Sequence, residues 1–293
     1  AMAFEHKEIQ KLLLFFTYGA AFCALFGIGK HFCLHQERID SFSGDKMVFG
    51  GMLMAGLLIQ LFFLKNEPKN LLHWLSLVLL GWALVLTETR GAWVGLLVGF
   101  ALLSWRFNRK WLAIGLALLV VSYFLMPSVL QNRIKSMANI QLSYDENHQI
   151  QNSSQVRLLI WLSGIKIIKD YPWGVGQGNL SDIYPRYRLA ALDKFEPTVP
   201  HLHNNFLQIL VQNGWIGLAA YLFWIFSYFR GALGFKGKGD GPQDLNWTLI
   251  CVFAAVLAWG LTEYTFSHQF MNVQFFLLGL QAALWKQGGA PTV

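Results

Sequence analysis

Val199–Gly217 reads VPHLHNNFLQILVQNGWIG, and its reading decides how the rest of the chain is laid out. Two histidines, His201 and His203, and two asparagines, Asn204 and Asn205, stand at the mouth of an apolar run. After His203-Asn204 come nine residues, then Gly214, and two residues later Gly217. From Asn204 to Phe229 there is no charged residue. At about 1.5 Å of rise per residue, such a helix would run roughly 39 Å, longer than a hydrocarbon core of about 30 Å. One straight span is therefore not expected. Asn213-Gly214 favours a turn or helix end. The pattern predicts a short helix with His203, Asn204, Gln208 and Gln212 near one face, then a span from Trp215 to Phe229. His203 is expected at the water–lipid boundary rather than inside the membrane.

The composition agrees with a membrane setting. The 293 residues are 55% apolar and 13% charged, with mean hydropathy +0.40, whereas soluble domains average about 25% charged. The fold class is all-α and polytopic. The three cysteines, Cys23, Cys33 and Cys251, form no CxxC pair, so neither a disulfide framework nor a zinc site is indicated. The first residue is Ala1, from which a processed or excised portion of a longer chain is expected. The first apolar run has no cleavage-like ending and is counted as a span, not a signal peptide.

Apolar runs near 12–29, 47–64, 71–87, 91–105, 111–127, 214–229, 247–262 and 270–285 give about eight expected transmembrane helices. The tract 71–105 is too long for one crossing and is split into a hairpin turning at Thr87-Glu88-Thr89-Arg90-Gly91. Orientation follows from basic residues in short loops. One set holds Lys7, Lys11, Lys65, Lys69, Arg106, Arg109, Lys110, Arg230, Lys236, Lys238 and Lys286, eleven in all, against four in the other, Lys30, Arg38, Lys46 and Arg90. The first set and both termini are expected in the cytoplasm, and Arg90 outside. The net charge of +7 is then partly topology, not a nucleic-acid footprint. Three regions result: 1–127 with five spans, 128–213 as an outward loop with interfacial helices and the catalytic segment, and 214–293 with three spans.

The loop opens with a polar part containing Asp145, Glu146 and His148. A helical piece, Gln155 to Asp170, follows. On its wheel Lys166 lies opposite Arg157, with Ser163, Lys169 and Asp170 around Lys166. Arg157 shares its side with Ile160, Trp161, Gly164 and Ile168. A guanidinium at the centre of the apolar face of an interfacial helix costs free energy unless an anion or a cleft awaits it. Next come Pro172-Trp173-Gly174-Val175-Gly176-Gln177-Gly178-Asn179. No strand-then-helix context surrounds these glycines, which argues against a dinucleotide site. A turn is expected, with an anion-binding nest as the alternative. A polar segment from Tyr184 to Pro200, with Arg186 and Arg188, returns to His203.

Arg90, Arg157 and His203 all fall on the outer side in this topology. Singly, each has an ordinary explanation: Arg90 reaching headgroups, Arg157 binding lipid phosphate, His203 holding a structural hydrogen bond. Together, two guanidiniums suit a diphosphate, whose oxygens each can grip in a bidentate way, and a neutral imidazole takes a proton near neutral pH. This points to a lipid-linked diphosphate whose bond is broken by an activated hydroxyl. Asp-x-Asp, HExxH and metal-ligand spacing are all missing from the sequence. Glu263, in LTEYTFSHQ between the last two spans, either orients a His or an Arg or caps its loop; His268 carries less.

These residues resemble bacterial O-antigen ligases and their Wzy-type polymerase relatives. The family motif is His followed by Asn, Ser or Gln, nine residues, Gly, two residues, then a small residue or Tyr, which His203-Asn204, Gly214 and Gly217 fit without a gap. TETRGAW around Arg90 is similar to the Thr-x-Thr/Ser-Arg segment. Arg157 through Pro172 is similar to the second-arginine segment, and Tyr184-Pro185-Arg186-Tyr187-Arg188 to a Tyr/Arg stretch ahead of the histidine.

The resemblance spans roughly residues 38–285. It implies a metal-independent, inverting glycosyltransferase, with no cofactor, on the outer face of the bacterial inner membrane. The donor would be an undecaprenyl-diphosphate-linked glycan and the acceptor lipid A–core or another glycan, with no nucleic-acid partner. Carried over, His203, Arg90 and Arg157 are the catalytic set. Arg90, Arg157, Asn204, Arg188 and Glu263 are the substrate contacts. Family members carry further spans before the first one here, which again implies a shortened chain. Polymerisation or transfer to a protein by the same site stays open. A transporter for a polyprenyl-linked sugar would place ionisable groups in mid-span, and these spans have almost none.

Overall fold

The computed structural model describes residues 5–113, 115, 124, 131, 153–193, 199, 201–266 and 268–287. Every regular element among them is helical. The α-helices are α1 (His6–Leu34), α2 (Lys46–Asn66), α3 (Leu71–Thr87), α4 (Arg90–Phe107), α5 (Ser153–Asp170), α6 (Leu180–Tyr187), α7 (Asn205–Gly234), α8 (Asp240–Trp259) and α9 (His268–Gln287). Short 3-10 turns lie at Ser41–Ser43 and Ala190–Leu192. The chain divides into two compact units. One is Ala1–Arg109, Phe226–Trp259 and Thr265–Val293, the other Lys110–Ile225 and Gly260–Tyr264.

The first unit is organised on α2, which is apolar on every face, the signature of a helix enclosed by others. Its most apolar window is 83% buried. Asp45 caps its start by accepting from the Met47 and Val48 amides. A Cβ on Gly51 would stand 2.2 Å from the Trp259 ring and 2.6 Å from Phe270, so glycine admits both aromatics against the α2 backbone. The same device joins α4 to α8. A Cβ on Gly95 would meet the Ala255 carbonyl at 2.6 Å, and one on Gly99 the Cys251 carbonyl at 3.0 Å. This small-xxx-small spacing lets backbones approach where no water drives helices together.

The expected hairpin turns where the sequence placed it. Glu88 takes a left-handed φ of 53° after α3, and Arg90 is the first residue of α4. Arg38 fastens the turn by donating from Nε to the Thr87 carbonyl at 3.1 Å.

Among the described residues three helices are long and apolar enough to cross a membrane: α1, α2 and α7. The helix α3 is a shorter apolar one of 17 residues. Of the other expected spans, α4, α8 and α9 are helices but are less apolar, and 111–127 lies almost wholly outside the described residues. So do Asp145, Glu146 and His148. Along α1, Phe15, Phe22, Leu25 and Phe26 are exposed, a run of apolar side chains suited to lipid.

The second unit has its own core of Ile160, Ile167, Ile168, Val175, Leu180, Tyr184, Leu192, Val199, Leu202 and Val211. The break expected at Asn213-Gly214 falls at Gly214, where φ is 64° and ψ −167° inside α7. Interrupting a helix orphans carbonyls on its N-terminal side. Here the glycine-bearing turn supplies donors: the Val175 amide bonds the Val211 carbonyl and the Gly176 amide that of Gln212, both at 2.9 Å. The segment 172–179 is thus a turn, and two of its amides serve α7.

Candidate active site

Arg157 lies in the first turns of α5, on the face whose Ile160, Ile167 and Ile168 are buried. The anion that this placement demands is the chain's own Glu263. Arg157 Nη2 donates to Glu263 Oε2 at 3.0 Å. The other carboxylate oxygen, Oε1, takes His203 Nδ1 at 2.7 Å and the Tyr264 amide at 3.1 Å. Glu263 is therefore the hub joining the two residues that the sequence reading had singled out on separate segments.

The backbone around His203 is fixed from several sides. Trp161 Nε1 donates to the Leu202 carbonyl at 2.9 Å, and the Leu202 amide to Gln208 Oε1 at 2.7 Å. Asn204 caps α7, its Oδ1 accepting from the Leu207 amide at 3.0 Å while its Nδ2 donates to the Leu261 carbonyl at 2.9 Å. The Asn205 amide bonds the Gly260 carbonyl at 2.8 Å. Between these anchors His203 has φ 51°, a left-handed conformation uncommon outside glycine. The anchors over-determine that geometry, as expected where a side chain must be aimed.

The glycines of the motif complete the device. A Cβ on Gly217 would meet Asn213 Cβ at 2.2 Å, and one on Gly214 the Trp173 backbone at 2.4 Å. Gly214 makes the kink and Gly217 leaves room for the turn before it, so the spacing to His203 fixes how far the capped start of α7 stands from its break.

The hydrogen bonds of Glu263 decide which imidazole nitrogen faces it. Burial pushes the Glu263 carboxyl up, but the His203 hydrogen bond and charge, with the Arg157 guanidinium, outweigh it and hold it below the usual carboxylate range. An ionised carboxylate only accepts. Against that acceptor a neutral His203 imidazole carries its proton on Nδ1, and Nε2 keeps the lone pair. Burial pushes the neighbouring Tyr264 hydroxyl up.

Of the remaining expected residues, Arg188 follows α6 and pairs with Asp193. Asn204 has both ends of its amide engaged by protein. Arg90 belongs to the first unit, at the start of α4. One residue had been passed over: His201, whose ring meets that of His203 edge-on at 4.3 Å between centroids and lies 5.6 Å from that of Tyr264. The signal was the His-x-His pair itself, two imidazoles close in sequence at the mouth of the apolar run.

A sequence model of the family described as O-antigen ligase matches residues 75–222, just over half of the chain. The match takes in Arg90, Arg157, His203 and both motif glycines. The chain belongs to the O-antigen ligase family. Among curated proteins none matches it. Membership fits the all-helical, apolar architecture and gives this O-antigen ligase family member a membrane role in glycan transfer of the ligase or polymerase type. Within the family's matched segment lie Arg157 and His203; Glu263, which holds both, lies beyond it.

Proposed function

We propose that this chain moves a glycan from undecaprenyl diphosphate to an acceptor hydroxyl, and that the reaction is O-antigen ligation to lipid A–core. The observation that carries the reading is one buried carboxylate, Glu263, holding His203 by Nδ1 and Arg157 by Nη2. It orients a base and a phosphate-gripping cation from a single point.

His203 Nε2 takes the proton of the acceptor hydroxyl as its oxygen attacks the anomeric carbon. The bond from that carbon to the diphosphate breaks, and the undecaprenyl diphosphate leaves with the electron pair. A single displacement of this kind inverts the anomeric centre and requires no metal. Base assistance typically contributes about 10²–10⁴-fold. Arg157 meets the charge growing on the departing diphosphate, a contribution of the preorganised electrostatic kind. Arg90 enters as a second diphosphate contact, and Arg188 as a substrate contact, from their likeness to family segments. The apolar runs support about eight spans, the distribution of basic residues supports an outward-facing site, and the family resemblance supports the inner membrane with the reaction on its periplasmic side.

The test is transfer in proteoliposomes supplied with an undecaprenyl-diphosphate glycan and, in separate arms, lipid A–core, a peptide or a second glycan carrier. Product on lipid A–core alone supports ligation. Product on the second carrier makes the chain a polymerase, and product on the peptide a protein glycosyltransferase. No product in any arm, from protein that is folded, removes the transfer reading.

A further inference from the structure

The fold brings Glu263 to a His-x-His pair 60 positions away, completing a set of ligands that the sequence shows only in part. We infer that His201, His203 and Glu263 form a binding site for a transition-metal dication of the zinc type, and that the ion inhibits transfer. The site stands on its own geometry; the inhibition rests on the proposed role of His203.

Ligand-capable atoms of the three side chains all lie within 4.8 Å of one another. A tetrahedral zinc ion with bonds of about 2.0–2.2 Å keeps its ligands roughly 3.3 Å apart. The His203 Nδ1 to Glu263 Oε1 separation of 2.7 Å therefore opens slightly on binding, as the ring proton passes from Nδ1 to Nε2 and frees the Nδ1 lone pair for the ion, while the remaining separations close by side-chain rotation. Two imidazoles and one carboxylate are the donor types suited to zinc, copper or nickel rather than to magnesium or calcium. Three protein ligands leave a fourth position open.

The carboxylate is prepared for such a role. Its side chain is 5% exposed, and its second oxygen is held by Arg157, the kind of outer contact that keeps a ligand oriented. The backbone of His203 is fixed by the Leu202 and Asn204 anchors, so the ring starts near its ligating position. The Arg157 charge opposes a dication, which keeps binding reversible.

Occupancy and catalysis exclude each other. A neutral imidazole has one lone pair, and a metal bound at either nitrogen of His203 takes it. The acceptor hydroxyl then has no base. A metal-independent transferase thus carries a site at which a metal stops it.

The full chain, purified in detergent and stripped with chelator, is titrated with Zn²⁺ at neutral pH, with bound metal measured after desalting. Co²⁺ is the spectroscopic probe of coordination. One ion per chain is expected, with affinity falling at least tenfold in His201→Ala and in Glu263→Gln; thermal unfolding verifies that each variant is folded. In the transfer assay Zn²⁺ should stop the wild type, chelator should restore it, and His201→Ala should resist at least tenfold more Zn²⁺. A wild-type chain that retains no ion, or a folded His201→Ala that binds as the wild type does, overturns the site and leaves the transfer reading intact. A chain that binds one ion through His201 and transfers undiminished overturns the inhibition, and with it the role of His203 as base, while the metal site stands.

Discussion

At the scale of single residues, His203 offers an unusually clean substitution. Its φ of 51° lies where asparagine is among the few tolerant residues, so His203→Asn keeps the turn while removing the basic nitrogen. Turnover should fall about 10²–10⁴-fold in protein that still unfolds cooperatively, with a stability loss no larger than that of Glu263→Gln; near-normal turnover would remove the base assignment. Glu263→Gln tests the hub. A neutral amide no longer enforces the proton on Nδ1, and Arg157 loses its charged acceptor. The expected outcome is at least about a tenfold fall in kcat together with a stability loss of about 1–3 kcal/mol, read by activity and denaturant unfolding of the same preparation. Arg157→Lys belongs here too. A single ammonium cannot grip Glu263 and a diphosphate at once, so the loss should approach that of Arg157→Ala, about 10²–10³-fold. The sequence made Arg157 visible because it stood on the wrong face of a helix, a conflict contained within one element. Glu263 was visible only as a residue with several possible jobs. Its partners are 106 and 60 positions away, and periodicity carries no information over such distances.

At the scale of elements, the interrupted α7 and the turn at 172–179 are one construction. The sequence announced each half: Asn213-Gly214 as a break, and the spaced glycines as a turn. What it withheld was that Gly174 and Gly214 stand against each other's backbones. A Cβ on Gly174 would be 2.5 Å from the Gln212 carbonyl, and one on Gly214 2.4 Å from Trp173. Close approach of two backbones leaves no trace in hydropathy, only a pair of glycines with several possible reasons. Gly214→Ala therefore meets two penalties. The backbone conformation, close to glycine-only territory, costs on the order of 1–3 kcal/mol, and the steric overlap adds to it. Gly178 also has a positive φ, 83°, but open space around it, so Gly178→Ala should cost only the conformational part, about 1–2 kcal/mol. Thermal unfolding of the two variants side by side separates the contributions. Equal losses would mean that the contact between turn and helix is unimportant. If the contact matters, Gly214→Ala should also lower transfer beyond its effect on folding, because the kink sets where the capped start of α7, and hence His203, is held.

For the whole molecule, sidedness is the quantity on which the chemistry depends, and it rests on the charge asymmetry of the loops. The membrane class was legible in composition alone, because 13% charged residues cannot cover a soluble surface of this size. The number of crossings was less legible. Helices such as α4 carry arginine at or near both ends, which lowers apolarity without preventing a crossing, since long basic side chains reach the interface. A native cysteine provides the test without altering the architecture. Cys33 is exposed near the end of α1, whereas Cys23 is half-buried and Cys251 buried. Burial limits access to the latter two, so labelling with a thiol reagent that cannot cross membranes reports chiefly on Cys33. With Lys7 and Lys11 in the cytoplasm, α1 delivers Cys33 to the opposite side. Intact spheroplasts should label fully before permeabilisation, and Cys33→Ser should abolish the signal. Labelling that appears only after the membrane is opened would reverse the topology. It would carry the end of α1 into the cytoplasm and overturn the periplasmic placement proposed for the reaction.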